Sequence, residues 1–157
     1  MIHLQKITAE ADLAVCLMIR RRVFIDEQGV AEALEMDEYD EAGGLKNCPH
    51  YLALSDGVPV ATCRCLRKDG GAVKLQRFCV LPEWRGRGVG RELLTMLEKD
   101  CREQGVTRME MGAQCHAVPF YQKCGYTVTS GQFMDAGIPH VKMEKNFAYD
   151  KNTVERK

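Results

Sequence analysis

Residues 80–90 read Val80-Leu81-Pro82-Glu83-Trp84-Arg85-Gly86-Arg87-Gly88-Val89-Gly90. An apolar run with Leu75, Phe78 and Val80 stops at Pro82, glycines follow at 86, 88 and 90, and the amphipathic run Arg91–Cys101 begins. Strand, glycine-rich turn and helix in that order point backbone N–H groups at a phosphate. Glycines let the main chain approach a ligand where a Cβ would collide. The helix N-terminus adds about half a positive charge at the same point. Arg85, Arg87 and Arg91 bring full charges to it. A pyrophosphate-bearing cofactor is the guest this layout predicts.

Spacing narrows the cofactor. The dinucleotide fingerprint G-x-G-x-x-G fails, because counting from Gly86 the third glycine would fall at Arg91. The phosphate loop G-x-x-x-x-G-K-[ST] fails as well, because no Lys and Ser/Thr follow Gly90. What remains is Arg85-x-x-Gly88-x-Gly90 after a strand that ends in Val-x-Pro.

A chain of 157 residues with 45% hydrophobic content suffices for one domain with a proper core. Formal net charge is +0, which argues against nucleic acid or a membrane surface as partner. No apolar run approaches the length of a membrane span, and Met1-Ile2-His3-Leu4-Gln5-Lys6-Ile7 lacks a signal-peptide layout. A soluble, cytoplasmic protein is the expectation. The eight cysteines are scattered without any C-x-x-C, so reduced and mostly buried thiols are expected and no metal site.

The chain alternates between strand and helix patterns without linker or repeat. Residues 2–7 read as a strand, Thr8 as an N-cap, and 9–27 as a helix because Leu13, Cys16, Leu17, Arg20 and Phe24 recur at helical spacing. An irregular acidic stretch covers 29–47, and a charge run of this kind is ordinarily a solvated loop. Residues 50–55 and 58–67 form a hairpin across Ser55-Asp56-Gly57, and a turn at Asp69-Gly70-Gly71 leads to strand 73–80. Val89, Leu93, Leu97 and Cys101 stripe the following helix, which Gly105 ends. Residues 108–113 read as a strand, 116–124 as a helix closed by Gly125, and 126–130 and 138–145 as strands. The domain is expected over 1–147, with a polar, frayed tail at 148–157.

A second signal is Ala117-Val118-Pro119-Phe120-Tyr121-Gln122-Lys123-Cys124-Gly125-Tyr126. Taken alone, Phe120, Tyr121 and Tyr126 could be ordinary core aromatics. Beside the 85–90 loop, the stretch resembles the A-x-x-F-Y-x-x-x-G-[FY] hallmark of the GNAT acetyltransferase superfamily. Arg85-x-x-Gly88-x-Gly90 likewise resembles the coenzyme A pyrophosphate loop of that superfamily. Further blocks are similar to its ElaA/YjcF-like branch: Val23-Phe24-Ile25-Asp26-Glu27-Gln28, Gln114-x-His116 and Asp135-Ala136-Gly137-Ile138-Pro139-His140.

The resemblance implies an α/β (α+β) fold of GNAT type. Its central sheet would be mixed and mostly antiparallel, with about six or seven strands flanked by about four helices. It implies acetyl-CoA as cofactor and a primary amine, on a small molecule or a peptide, as acceptor. A homodimer is its base-rate oligomer. Phe78, Cys79, Val80, Arg85, Gly86, Arg87, Gly88, Val89, Gly90 and Phe120 would hold the cofactor, backbone amides of the strand taking the pantetheine arm. Phe24, Glu27, Gln28 and Gln76 would line the acceptor side. Tyr121 matches the tyrosine that protonates the departing thiolate.

An alkylamine must lose a proton to attack a thioester. The Glu usual in the family just ahead of the pyrophosphate loop is replaced here by Gln76, which cannot take a proton. Glu27 and His116 are the candidate bases. An acyl-cysteine route through Cys79 or Cys124 is the covalent alternative. Residues 26–41 carry eight carboxylates and no Lys or Arg. If they rim the cleft they would favour cationic acceptors. Two other readings stay open: an acyl-homoserine lactone synthase-like acyltransferase, which shares a stretch like Arg22-Val23-Phe24 followed by Glu35-x-Asp37-x-x-Asp40, and a non-catalytic acyl-CoA-binding module.

Overall fold

The computed structural model describes residues 1–147, and the tail expected at 148–157 lies outside them. The strands are β1 (Ile2–Ile7), β2 (His50–Ser55), β3 (Val58–Arg67), β4 (Ala72–Val80), β5 (Arg108–Gln114), β6 (Thr127–Val128), β7 (Phe133–Asp135) and β8 (Ile138–Asn146). The helices are α1 (Glu10–Arg20), α2 (Glu32–Glu35), α3 (Val89–Glu103) and α4 (Val118–Lys123). They build one sheet in the order β1-β2-β3-β4-β5-β8-β6, with β7 paired to β8. Every pairing is antiparallel except β4 with β5, which α3 connects as a crossover. Among the described residues no helix is long and apolar enough to cross a membrane.

The sheet has eight strands rather than six or seven. The additional one is β7, three residues hairpinned to β8 through Ala136 (φ 51°) and Gly137 (φ 75°). Three residues are too few to display a period, so sequence patterning passes over it.

Apolar side chains pack on both faces. Leu93, Leu94 and Leu97 of α3 cover Cys63, Cys65, Leu75 and Met109, while Leu13, Cys16 and Ile19 of α1 cover Ile7, Leu52, Cys79 and Leu81. All eight cysteines are free thiols, and only Cys115 and Cys124 are partly exposed.

The helix expected over 9–27 is α-helical only to Arg20. Residues Arg21–Glu27 form a π-helix, with the Gln28 N–H donating to Val23 O at 3.0 Å. The wider turn keeps Val23 buried and leaves Phe24, Glu27 and Gln28 on the open end of the sheet. Thr8 is not the cap. Ala9 occupies that position without a side-chain bond, and Glu10 and Asp12 supply negative charge to the first turn instead.

The acidic stretch is not a solvated loop throughout. Arg20, wholly buried, donates to Glu35 at 2.7 Å and pairs with Asp40, and Arg64 donates to Asp37 at 2.6 Å and to Asp40 at 2.8 Å. Arg77 meets the second oxygen of Glu35 at 3.1 Å. Three guanidinium groups and three carboxylates thus balance. Burial alone would raise the pKa of Asp40, but hydrogen bonds from His50 and Arg20 overcome it and hold the carboxyl well below the usual carboxylate range.

Removing one partner of this cluster leaves buried charge uncompensated. Glu35→Ala should therefore cost about 3–5 kcal/mol in urea unfolding. Asp40, with its lowered folded-state pKa, contributes stability that is complete above its unfolded pKa of about 4 and is lost as pH falls below it. Acid titration of stability should show that loss, and Asp40→Asn should flatten it.

Candidate active site

The site begins where the sheet parts. β4 and β5 pair from Ala72↔Arg108 to Leu75↔Met111 and no further, while β5 stays with β8 as far as Gln114↔His140. The cause lies on the other side of β4. Its register with β3 steps from Arg64↔Gln76 to Thr62↔Cys79, so Cys63 faces the two residues Arg77 and Phe78. Arg77 takes φ 55°, and this bulge turns the end of β4 away from β5. The opening is a cleft of about 970 Å³, within the range of small-molecule sites.

One wall is the backbone of β4. The Leu81 N–H donates to Val60 O on β3 at 2.9 Å, so strand alternation turns the polar groups of Val80 into the cleft. There Val80 O accepts from Arg85 Nε at 3.0 Å. Cys79, two residues before Leu81, faces β3 by the same alternation, and its backbone does not serve the cleft as expected.

The cleft ends at α3. Gly86 (φ 76°) and Gly88 (φ 79°) lie in the left-handed region, and Gly88 precedes the helix without a side-chain cap. Glu92 is the first to donate to the turn, to Gly88 O at 3.1 Å, which leaves the N–H groups of Val89, Gly90 and Arg91 without intrahelical partners. Gly90 is glycine for a different reason. A Cβ there would stand 3.3 Å from Phe120 Cζ and 3.6 Å from Phe78 Cε1.

The cations do not all play their expected parts. Arg85 grips Glu27 through both carboxylate oxygens at 2.6 and 2.7 Å. Arg87 stacks on Trp84 at 4.9 Å and does not line the cleft. Arg91 and Lys123 line it and make no ion pair among the described residues. Lys123 was not singled out by the sequence. It sits inside the α4 motif without a spacing signal of its own.

Glu27 borders the cleft, but the Arg85 hydrogen bonds lower its pKa, so it is a weak base. His116 is exposed on the turn after β5, with Nε2 against Gln114 Oε1. Gln114 in turn exchanges hydrogen bonds with Gln28 at 2.9 and 3.1 Å, which straps the end of the π-helix to β5. Gln76 accepts from Arg64 Nε at 3.0 Å. Phe24 lines the same end.

Tyr121 forms an aromatic cluster with Phe78 and Phe120, centroids 6.1 and 5.1 Å away. Only 7% exposed, it makes no side-chain hydrogen bond among the described residues, and it borders the cleft. Burial pushes its phenol pKa up, so it stays protonated at neutral pH. Burial pushes up the thiols of Cys79 and Cys124 too, which leaves the acyl-cysteine route without a ready thiolate. Sequence reasoning gave no role to Gly112, Phe133 or His140, which line the cleft. Among the described residues no group of three His, Cys, Asp or Glu could hold a metal ion.

A mixed sheet split between two parallel strands, beside an uncapped helix, is the architecture of acyl-CoA N-acyltransferases. A family model described as an acetyltransferase (GNAT) domain matches residues 22–147. An uncharacterized N-acetyltransferase of Bacillus subtilis (strain 168), YjcF, is 40% identical over 139 residues, 87% of this chain and 94% of its own. The crystal structure of Escherichia coli ElaA has a TM-score of 0.79 at 27% identity, covering 93% of this chain and 100% of that one. A PaiA N-acetyltransferase of Thermoplasma acidophilum, solved with coenzyme A, shares the fold with a TM-score of 0.73 at 18% identity, covering 94% of this chain and 99% of that one. The chain belongs to the GNAT acetyltransferase family, which carries out acyl transfer from acetyl-CoA.

Thiol accessibility gives a direct check on this geometry. Iodoacetamide on the native protein should modify Cys115 and Cys124 and spare the six buried cysteines, as read by mass spectrometry. Because Cys124 borders the cleft, acetyl-CoA should slow its labelling and leave Cys115 unaffected.

Proposed function

We propose that this chain binds acetyl-CoA in the split between β4 and β5 and acetylates a primary amine by direct attack. The observation that carries the proposal is the uncapped start of α3 beside the parted strands, a set of unpartnered N–H groups facing a cleft. The Val89, Gly90 and Arg91 amides fit a pyrophosphate, with Arg91 and Lys123 as charge partners. Arg85 serves the loop by anchoring it to Val80 and Glu27, and it can turn to phosphate only by releasing Glu27. The polar backbone edge at Val80 suits the amide-rich pantetheine arm.

The bound thioester supplies an acetyl group activated toward amines. Tyr121 is the general acid. Its dry, aromatic surroundings keep the proton on oxygen until a thiolate develops nearby. Gln28, Gln114, Phe24 and Phe133 give the acceptor end amide groups and apolar walls, with Asp135 as an exposed carboxylate beside them. The preference for cationic acceptors drawn from the acidic stretch loses its basis here. Glu35, Asp37 and Asp40 are already neutralised by arginines, and Glu27 by Arg85. The match across residues 22–147 favours this reading over a lactone synthase.

Calorimetry with acetyl-CoA, against NAD and ATP as controls, should show saturable one-to-one binding of acetyl-CoA alone. Gly88→Val should abolish it, because its Cβ would enter the phosphate cradle from a left-handed residue. Tyr121→Phe should keep the affinity and lower kcat by about 10²-fold or more. Full activity in Tyr121→Phe would remove the tyrosine from the mechanism.

A further inference from the structure

The acceptor end of the cleft contains a histidine whose protonation geometry is set by the backbone. His140, on β8, is 7% exposed and lines the cleft. Its Nδ1 lies 2.7 Å from Ile138 O, an acceptor only, so Nδ1 carries the hydrogen. In the neutral ring Nε2 is then the lone-pair nitrogen. It has no hydrogen-bond partner among the described residues. The ring is held from one side by Phe133, stacked at 5.8 Å with 27° between planes.

Placement matters as much as tautomer. Gly112 is the first residue of β5 beyond the last β4–β5 pair, Leu75↔Met111. A Cβ on Gly112 would stand 4.0 Å from His140 Cδ2, the carbon bonded to Nε2, and 3.5 Å from Phe133 Cζ. The missing side chain therefore exposes the Nε2 edge at the point where the strands part. Across the pair, Gln114 faces His140 on the same side of the sheet. Glu27 is engaged by Arg85 and Glu35 by Arg20 and Arg77, and His116, which also has one ring nitrogen against an acceptor, stands exposed on the turn after β5. Asp135 on β7 also lines the cleft, but it lies exposed beside the β7–β8 turn, whereas His140 is buried next to the point where β4 and β5 part.

We propose that His140 is the general base of the transfer, taking the place that Gln76 cannot fill. This rests on the acetyl-CoA reading above. The acceptor nitrogen forms its bond to the thioester carbonyl carbon and the carbon–sulfur bond breaks. The amine's surplus proton passes to His140 Nε2, and the departing sulfur takes the proton of Tyr121. Exchange with water restores both groups.

The test uses the full chain and His140→Asn, whose side-chain amide can keep the bond to Ile138 O while removing the basic nitrogen, with His140→Ala as a second variant. Turnover is read as coenzyme A release, both in water and with phenethylamine, spermidine, glucosamine and Nα-acetyl-lysine. The expectation is unchanged acetyl-CoA affinity by calorimetry and a fall of about 10²-fold or more in kcat for His140→Asn. Added imidazole should restore part of the rate in His140→Ala. Wild-type kcat in His140→Asn, or a loss that imidazole does not relieve and that tracks a drop in Tm, would overturn the assignment. So would a wild-type protein that binds acetyl-CoA yet releases coenzyme A no faster than buffer. Failure of the wild type to bind acetyl-CoA would instead strike the reading on which this one rests.

Discussion

Arg77 occupies the left-handed region inside a strand, and the cleft depends on it. A non-glycine residue pays about 1–2 kcal/mol for that conformation. The conformation persists because the side chain is fastened at its far end. Arg77 donates to Glu35 O at 3.1 Å and meets the Glu35 carboxylate at the same distance. The extra residue shifts β4 against β3, and β4 can then no longer follow β5. One local strain, offset by one buried ion pair, thus opens the sheet where a ligand must enter.

The same fastening explains the acidic stretch. Glu35 is shared between Arg20 beneath the sheet and Arg77 at the bulge, and Asp40 bridges Arg20 and Arg64. Charges this deeply buried are tolerated only when paired and hydrogen-bonded. The cluster ties the segment between α1 and β2 to the strand that carries the bulge. Its carboxylates are structural ties, and the part of the cleft lined by Gln28, Gln114, Phe133 and His140 draws no charge from them.

A second tie connects the two ends of the site. Arg85 lies in the glycine loop and Glu27 at the end of the π-helix, and their paired hydrogen bonds span the cleft. The Gln28–Gln114 exchange spans it again one residue further on. Both are polar contacts between groups at least partly in reach of solvent, so they exchange readily for contacts to a ligand. Any anion that approached the Arg85 guanidinium would have to compete with Glu27 for it.

The sequence by itself determined the alternation of elements, the hairpin at Ser55-Asp56-Gly57, the glycine loop ahead of α3 and the Phe120-Tyr121 motif. These are local: a turn or an amphipathic stripe is specified by neighbouring residues and shows in their spacing. It also indicated buried, reduced cysteines through the lack of any paired spacing. Only the tertiary structure decided which charges are free. Glu27 looked available and is held by an arginine far along the chain, and the acidic stretch looked solvated while half of it is neutralised from α1, β3 and β4. The π-helical end of α1, the strand β7 and the placement of His140 over Gly112 were also beyond the reach of pattern. The last depends on register between strands distant in sequence, and register is settled by packing the whole sheet at once, while β7 pairs across the Ala136-Gly137 turn and is too short to display a period.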